Sequence, residues 1–251
     1  MATKSTALTK TSASAIVDIR AKLASQVAVL GERTAPASGI AIQVGQNKEF
    51  RFPDGSKGTS FEAVIVDFIS ARNLYPETYN PKAIKPPICF AIGTNPRNLV
   101  PSKNSPEIQS QACSVCPNAE YETALNGKGG QACKEGRRMA LLPADMKADS
   151  PIWTLTVSPT ALKAFDSYVM SVAGAFQMPP LGVVTKIAFN DAFDYPTLTF
   201  GEPAPNEQVG EALRRQSEAT KLLNTEPDVS GYAAAYPNRG KGAAKKVVGK
   251  R

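Results

Sequence analysis

The chain has 251 residues, 42% hydrophobic and 20% charged, a globular balance that excludes a wholly disordered chain. It contains no histidine, which removes Ser-His-Asp and Cys-His catalysis and imidazole-held catalytic zinc. Of a formal charge of +7, residues 231–251 carry +6 and residues 82–138 carry +4, leaving −3 for the rest, a distribution that suggests a polyanionic partner.

In chain order, residues 1–13 are rich in Thr, Ser, Ala and Lys, and Ser14–Leu30 places Ile16, Ile19, Leu23, Val27 and Leu30 at helical steps. Gly31 stops that helix, and residues 1–38 form an N-terminal arm. Ile40–Val44 and Lys48–Phe52 alternate about Gly45-Gln46-Asn47, a hairpin pattern. Phe61–Leu74 is a long β-branched run, the natural central strand. Ile88–Ile92, Met139–Leu142 and Ile152–Val157 predict further strands. Ser158-Pro159 opens a helix to about Phe176, with Leu162, Phe165, Val169 and Val172 on one side. Gly182–Phe189 and Thr197–Phe200 predict a strand pair, Asn206–Leu223 a polar helix, and 225–251 a flexible basic tail. The expected fold is α+β, mainly β. Its core, 39–204, is an OB-like antiparallel barrel with a zinc-stabilised loop insertion at about 89–137 and peripheral helices.

All four cysteines fall within 45 residues: Cys89, Cys113, Cys116 and Cys133. Cys113-Ser-Val-Cys116 has the C-x2-C spacing that lets two thiolates grip one ion. Without histidine, a four-coordinate protein site must be all-cysteine or borrow a carboxylate. Structural zinc is the first choice and an iron–sulfur cluster the second. Disulfides, a redox pair and unlinked thiols are the other possibilities. Residues 93–137 are polar and rich in Pro, Gly, Asn and Ser, too poor in aliphatic material to order themselves by burial. A metal would supply that folding energy and hold Lys128, Lys134, Arg137 and Arg138 near the site.

Single-stranded nucleic acid is bound by cations along the phosphates and aromatic rings against the bases. Segment 48–85 offers both kinds of residue: Lys48, Arg51, Lys57, Arg72, Tyr75, Tyr79, Lys82 and Lys85, interleaved with Phe50 and Phe52. Alternation puts Phe50 and Phe52 on one strand face and Arg51 on the other, so some phenylalanines belong to the core. Phe50, Phe52, Phe61, Phe68 and Trp153 are read as core, and Tyr75 and Tyr79 as stacking candidates.

The Cys-x2-Cys-Pro knuckle, the phrase Gly-Lys-Gly-Gly-Gln-Ala-Cys-Lys-Glu-Gly-Arg-Arg, the helix start Ser-Pro-Thr-Ala-Leu-Lys-Ala-Phe and Tyr195-Pro-Thr-Leu-Thr-Phe200 together resemble bacteriophage single-stranded-DNA-binding (helix-destabilising) proteins. The resemblance spans roughly residues 60–200. It implies an OB fold with an inserted zinc site, and a protein that coats exposed DNA during replication and recombination. Two features depart from that family. The T-even phage protein uses a histidine ligand, whereas this chain must use Cys89 or another residue. Relatives commonly end in an acidic tail that contacts replication partners, whereas this chain ends in a basic one.

The expected function is therefore a non-enzymatic single-stranded-DNA-binding protein with structural Zn2+ on the four cysteines. Replication or recombination proteins are possible further partners. The alternatives are a DNA-annealing protein or carboxylate-metal nuclease drawing on Asp54, Asp67, Asp145, Asp191 or Asp194, or a DNA-contacting virion protein. No apolar run approaches membrane-spanning length, and Met-Ala-Thr-Lys-Ser-Thr lacks the apolar core of a signal peptide. A cytoplasmic protein, in the host cell if viral, is expected.

Overall fold

In the computed structural model, which describes residues 40–78, 80, 83–127 and 129–239, three two-residue strands come first: β1 (Gln43–Val44), β2 (Phe50–Arg51) and β3 (Lys57–Gly58). They pair antiparallel in the order β1-β2-β3. The hairpin expected around residues 45–47 is present, with Val44 opposite Phe50. The expected helix Ser14–Leu30 and arm 1–38 lie outside the described residues.

The main sheet is built on β4 (Ser60–Leu74), the fifteen-residue run expected to be central. Its neighbours are β5 (Cys89–Gly93), β6 (Cys133–Pro143), β7 (Trp153–Val157), β8 (Val183–Phe189) and β9 (Leu198–Pro205). All pairs are antiparallel in the order β7-β6-β4-β8-β9, and β5 joins the far end of β4. Helices α1 (Leu162–Phe176) and α2 (Val209–Leu223) are the expected pair, and a single turn, α3 (Tyr232–Ala235), follows. The fold is mixed α+β, mainly β.

The sheet is not a closed barrel, which corrects the OB-like expectation. Its outer strands β7 and β9 do not pair with each other. Instead, β7 takes a single parallel bridge, Ala41 to Thr154, which joins the small sheet to the large one. A β-branched run specifies a strand but not the partners of the edge strands, so closure cannot be read from it.

Each face of the sheet carries its own core. On one face, Met139, Leu141, Ile65 and Ile187 meet Phe165, Tyr168 and Val172 of α1. The small sheet covers the same face, where Phe50 stacks on Phe189 with ring centroids 4.4 Å apart and meets Phe61 edge-on at 4.9 Å. Phe52, Phe61, Phe68 and Trp153 pack against this cluster, as expected of core residues. On the other face, Val64, Ala140 and Leu142 meet Ala212, Ala219 and Leu223 of α2. The alternation of burial along β8, with every second residue buried, follows from a strand covered chiefly on one side.

Two segments differ from expectation. β6 starts at Cys133, six residues before the predicted Met139, because Cys-Lys-Glu-Gly-Arg-Arg pairs with β4 over Leu74–Ile69 and with β7 at Arg137 and Arg138. Gly136 fits there because a Cβ would come within 2.9 Å of the Val157 carbonyl oxygen. The connection expected at about 89–137 thus spans residues 94–132, with 89–93 in β5 and 133–137 in β6, and both belong to the sheet. The tail expected from residue 225 onward is docked as far as Arg239: Tyr236 is buried, and its hydroxyl donates to the Pro86 carbonyl at 3.0 Å.

Candidate nucleic-acid interface and cysteine cluster

Strand alternation sorts the chemistry at the far end of β4. Leu74 lies opposite Cys89 on one side and Cys133 on the other, while Arg72 lies opposite Ala91 and Glu135. Residues directly opposite share a face, so Arg72, Leu74, Cys89, Cys133, Glu135 and Arg137 occupy the face that carries α1. Asn73, Lys134 and Arg138 occupy the face that carries α2. The cysteines and the surface cations are therefore on opposite sides of one sheet.

The connection 94–132 runs along the outer edge of β5. Ser102 and Glu107 donate backbone N–H groups to Phe90 and Ile88 at 2.8 and 2.7 Å, and Cys113 donates to the Leu99 carbonyl at 3.0 Å. These bonds cover an edge that would otherwise be exposed, and they bring Cys113 and Cys116 to the strand-borne pair. All four cysteines are buried and free, with no disulfide between them. Each lies within electrostatic reach of the other three.

Burial is the main influence on the thiols of Cys89, Cys113 and Cys133. It pushes Cys133 up to about 12, and raises Cys89 and Cys113 as well. Opposing it, the Gln109 backbone N–H and the Ser105 hydroxyl favour the Cys89 thiolate, and the Arg72 guanidinium favours those of Cys113 and Cys133. Among the described residues no group of three or more Cys, Asp or Glu side chains is arranged so that it could hold a metal ion. The four free thiols are of the donor type that zinc takes, and it is their arrangement that does not form a metal site. Four softly basic sulfurs are gathered without a disulfide, and the Nε and Nη1 of Arg72 are buried beside them without a hydrogen-bond partner.

The remaining cations divide into three groups. Lys48, Arg51 and Lys57 sit on the small sheet, at the opposite end of β4, roughly 45 Å of strand from the cysteines at about 3.3 Å per residue. Arg51 and Lys57 share Glu49, each at 3.5 Å, and Lys48 is turned to the Asn190 carbonyl and to Asp191. Arg72 and Arg137 are interior. Arg72 pairs with Glu135, Glu135 with Arg137 at 3.0 Å, and Arg137 with Asp166 of α1 at 3.2 Å. This chain of charges ties the cysteine end to α1. Both arginines therefore lie away from the open surface that DNA contact was expected to need.

The third group forms a surface. A pocket of about 610 Å3 has Tyr75, Lys85, Lys134, Leu125 and Tyr236 among its walls. Tyr75 is 39% exposed there, and burial with the nearby Tyr236 raises its phenol. Lys85 pairs with Glu77 at 2.6 Å and stands 5.1 Å above the Tyr236 ring. Lys134 also lines an adjoining groove of about 430 Å3 with Arg138, Asn73 and Thr225. The Arg138 guanidinium donates to the Thr225 carbonyl at 2.7 Å. Tyr75, Lys85, Lys134 and Arg138 are thus brought along one path. Tyr79, Lys82 and Lys128 lie outside the described residues.

Sequence reasoning missed Tyr236 as a wall of the pocket. Its only signal was a tyrosine pair four residues apart, Tyr232 and Tyr236, in a segment otherwise rich in Pro, Gly and Ala. Compared with known proteins, the chain matches no family model, no curated protein and no solved structure. Among the described residues no helix is long and apolar enough to cross a membrane.

Proposed function

We propose that this chain is a single-stranded-DNA-binding protein that coats and protects exposed strands, as the resemblance to phage helix-destabilising proteins implies. The observation that carries the reading is the path from the Tyr75 pocket past Lys134 to Arg138. It offers aromatic and aliphatic surface for unpaired bases beside cations for phosphates. A duplex hides its base faces in the stack, so such a path favours the open strand. By mass action, binding only the open form shifts melting towards single strand. The OB-like character of the scaffold belongs to this proposal, in an opened form in which the small sheet curls over β4 and β8 without closing the ring.

The cysteine end serves this surface as a support. Cys89, Cys113, Cys116 and Cys133 would hold a structural zinc ion, with an iron–sulfur cluster as the second choice. When bound, such an ion contributes folding energy to a segment with little apolar content. The rest is the chain's own work. The connection 94–132 places Ala124, Leu125 and Asn126 in the pocket wall, and β6 presents Lys134 and Arg138 on the face opposite the sulfurs. Loosening the connection therefore deforms the pocket without touching the cations on β6.

Titration of the full chain with a labelled oligothymidine and with a duplex of equal length tests the proposal. Preferential binding of the strand, weakening steeply with salt, is expected. Equal affinity for both forms would overturn it. Magnesium-dependent cleavage of the same oligonucleotide would favour a nuclease instead.

A further inference from the structure

Segment 225–239, which follows α2, supplies walls to both grooves of the nucleic-acid path. Thr225, Glu226 and Pro227 line the groove that holds Lys134 and Arg138, and Tyr236 lines the Tyr75 pocket. A segment in that position either plugs the path or completes it, and its acids decide between the two. A plug would set a carboxylate on the cations in place of a phosphate. Here the carboxylate of Glu226 is engaged elsewhere: one oxygen accepts from the Ser102 hydroxyl and the other from the Asn104 amide. Asp228 is turned to the Ser230 backbone N–H. Arg138 receives only the uncharged Thr225 carbonyl. Among the described residues neither Lys134 nor Arg138 makes an ion pair. The segment therefore orients a guanidinium without neutralising it, which leaves the charge for an incoming anion.

We propose that segment 225–239 is a clamp that completes the nucleic-acid site, so that its docking and the binding of an unpaired strand favour each other. This rests on the single-strand reading above and adds the regulation of that site. With the segment docked, Thr225 holds the Arg138 guanidinium and Tyr236 closes the pocket wall. With it released, Arg138 loses that support and the pocket loses a side. The docked form is fixed from a distance. Glu107 holds Arg239 and Tyr232, while Ser102 and Asn104 hold Glu226. None of Ser102, Asn104 and Glu107 lines either groove, so they are positioning residues that act on the strand through the clamp. By linkage, whatever the docked clamp adds to strand affinity, the bound strand returns to docking.

The test compares the full-length protein with a variant carrying Ser102→Ala, Asn104→Ala and Glu107→Gln, by oligothymidine titration and by hydrogen exchange. The variant is expected to bind the strand about fivefold or more weakly, within the range of ordinary coupling between sites. It has lost a negative charge, so direct electrostatics would strengthen phosphate binding instead. Clasps of purely structural importance would lower the melting temperature and leave strand affinity at the wild-type value, which would overturn the proposal. The reciprocal arm uses the wild type alone. Saturating oligothymidine should raise the protection of the Tyr232 and Ala235 amides, which donate to the Val229 and Gly231 carbonyls and belong to residues that line neither groove. Unchanged protection there overturns the clamp even if the variant does not fold, and reduced protection marks a plug that the strand displaces. Failure of the wild type to prefer the strand over a duplex would overturn the single-strand reading, and this proposal with it. Normal strand preference with unchanged affinity in the variant overturns the clamp alone.

Discussion

Glu107 and Arg239 face each other through two hydrogen bonds, the guanidinium donating to one carboxylate oxygen at 2.7 Å and to the other at 3.0 Å. Glu107 belongs to the cysteine connection and Arg239 to the segment after α2, so this pair clasps one to the other. Tyr232 donates its hydroxyl to the same carboxylate. A second clasp joins the two stretches where Glu226 accepts from the Ser102 hydroxyl and the Asn104 amide. Residues 225–239 thus form a strap over the connection, and Tyr236 is the part of it that reaches the pocket.

The strap should loosen in acid. The Arg239 guanidinium holds the Glu107 carboxyl below its usual range, and the Ser102 hydroxyl followed by the Asn104 amide does the same for Glu226. A carboxylate depressed in the folded state contributes stability that is fully present above its unfolded value, about 4.3, and is lost as pH falls through the folded value. Arg239 is well exposed, so after solvent screening the clasp contributes on the order of 0.5 kcal/mol. The protection factors of residues 225–239, measured against the intrinsic exchange rate at each pH, should fall between about pH 5 and about pH 3, ahead of those of β4. Glu107→Gln should produce the same loss of protection at neutral pH. Equal protection of the strap across that range would contradict this account.

Phe50 should be the residue on which the small sheet depends. It is fully buried against Phe189 and Phe61 although its own strand has only two residues. Phe50→Ala removes a large ring from a closed site and should cost about 3–5 kcal/mol, read from denaturant unfolding. Arg51→Ala, on the exposed side of the same strand, should change stability by less than about 0.5 kcal/mol. Similar losses for the two variants would show that the small sheet does not share the main core.

Metal uptake should release protons and weaken in acid. Burial keeps the thiols of Cys133, Cys89 and Cys113 protonated at neutral pH in the metal-free state, with Cys133 at about 12. Ions must displace those protons, so affinity rises with pH. Cys113→Ser or Cys116→Ser should reduce zinc content and open the connection 94–132 to protease, while β4 and β6 stay protected. Unaltered zinc content and unaltered cleavage in both variants would contradict the assignment.

Much of the fold was legible because its elements follow local rules. The run Phe61–Leu74 is β-branched enough to be a strand anywhere, and Ser158-Pro159 marks the approach to α1 whatever surrounds it. The start of β6 was not legible: Cys-Lys-Glu-Gly-Arg-Arg has no alternating apolar pattern and becomes a strand only because β4 and β7 bond it on both sides. That the four cysteines lie near one another was suggested by their residue type and spacing, since a chain without histidine leaves thiols and carboxylates as the donors a metal could take. The burial of Arg72 and Arg137 was hidden, because which face an arginine takes depends on a register set by strands far away in sequence. The docking of Tyr232 and Tyr236 was hidden for a related reason: two rings and a few polar clasps hold the strap, with no periodicity to announce them.

The central claim is that an unpaired strand lies along the path from Tyr75 to Arg138, and photocrosslinking tests it most directly. An oligonucleotide carrying 4-thiothymidine would be irradiated on the full-length protein and the modified peptides identified. Adducts on Tyr75 or Tyr236, or in the peptides spanning residues 83–85 and 124–138, are the predicted result, with loss of most adduct in Tyr75→Ala. Adducts confined to the small sheet around Lys48, Arg51 and Lys57, or none at any salt concentration, would contradict the account.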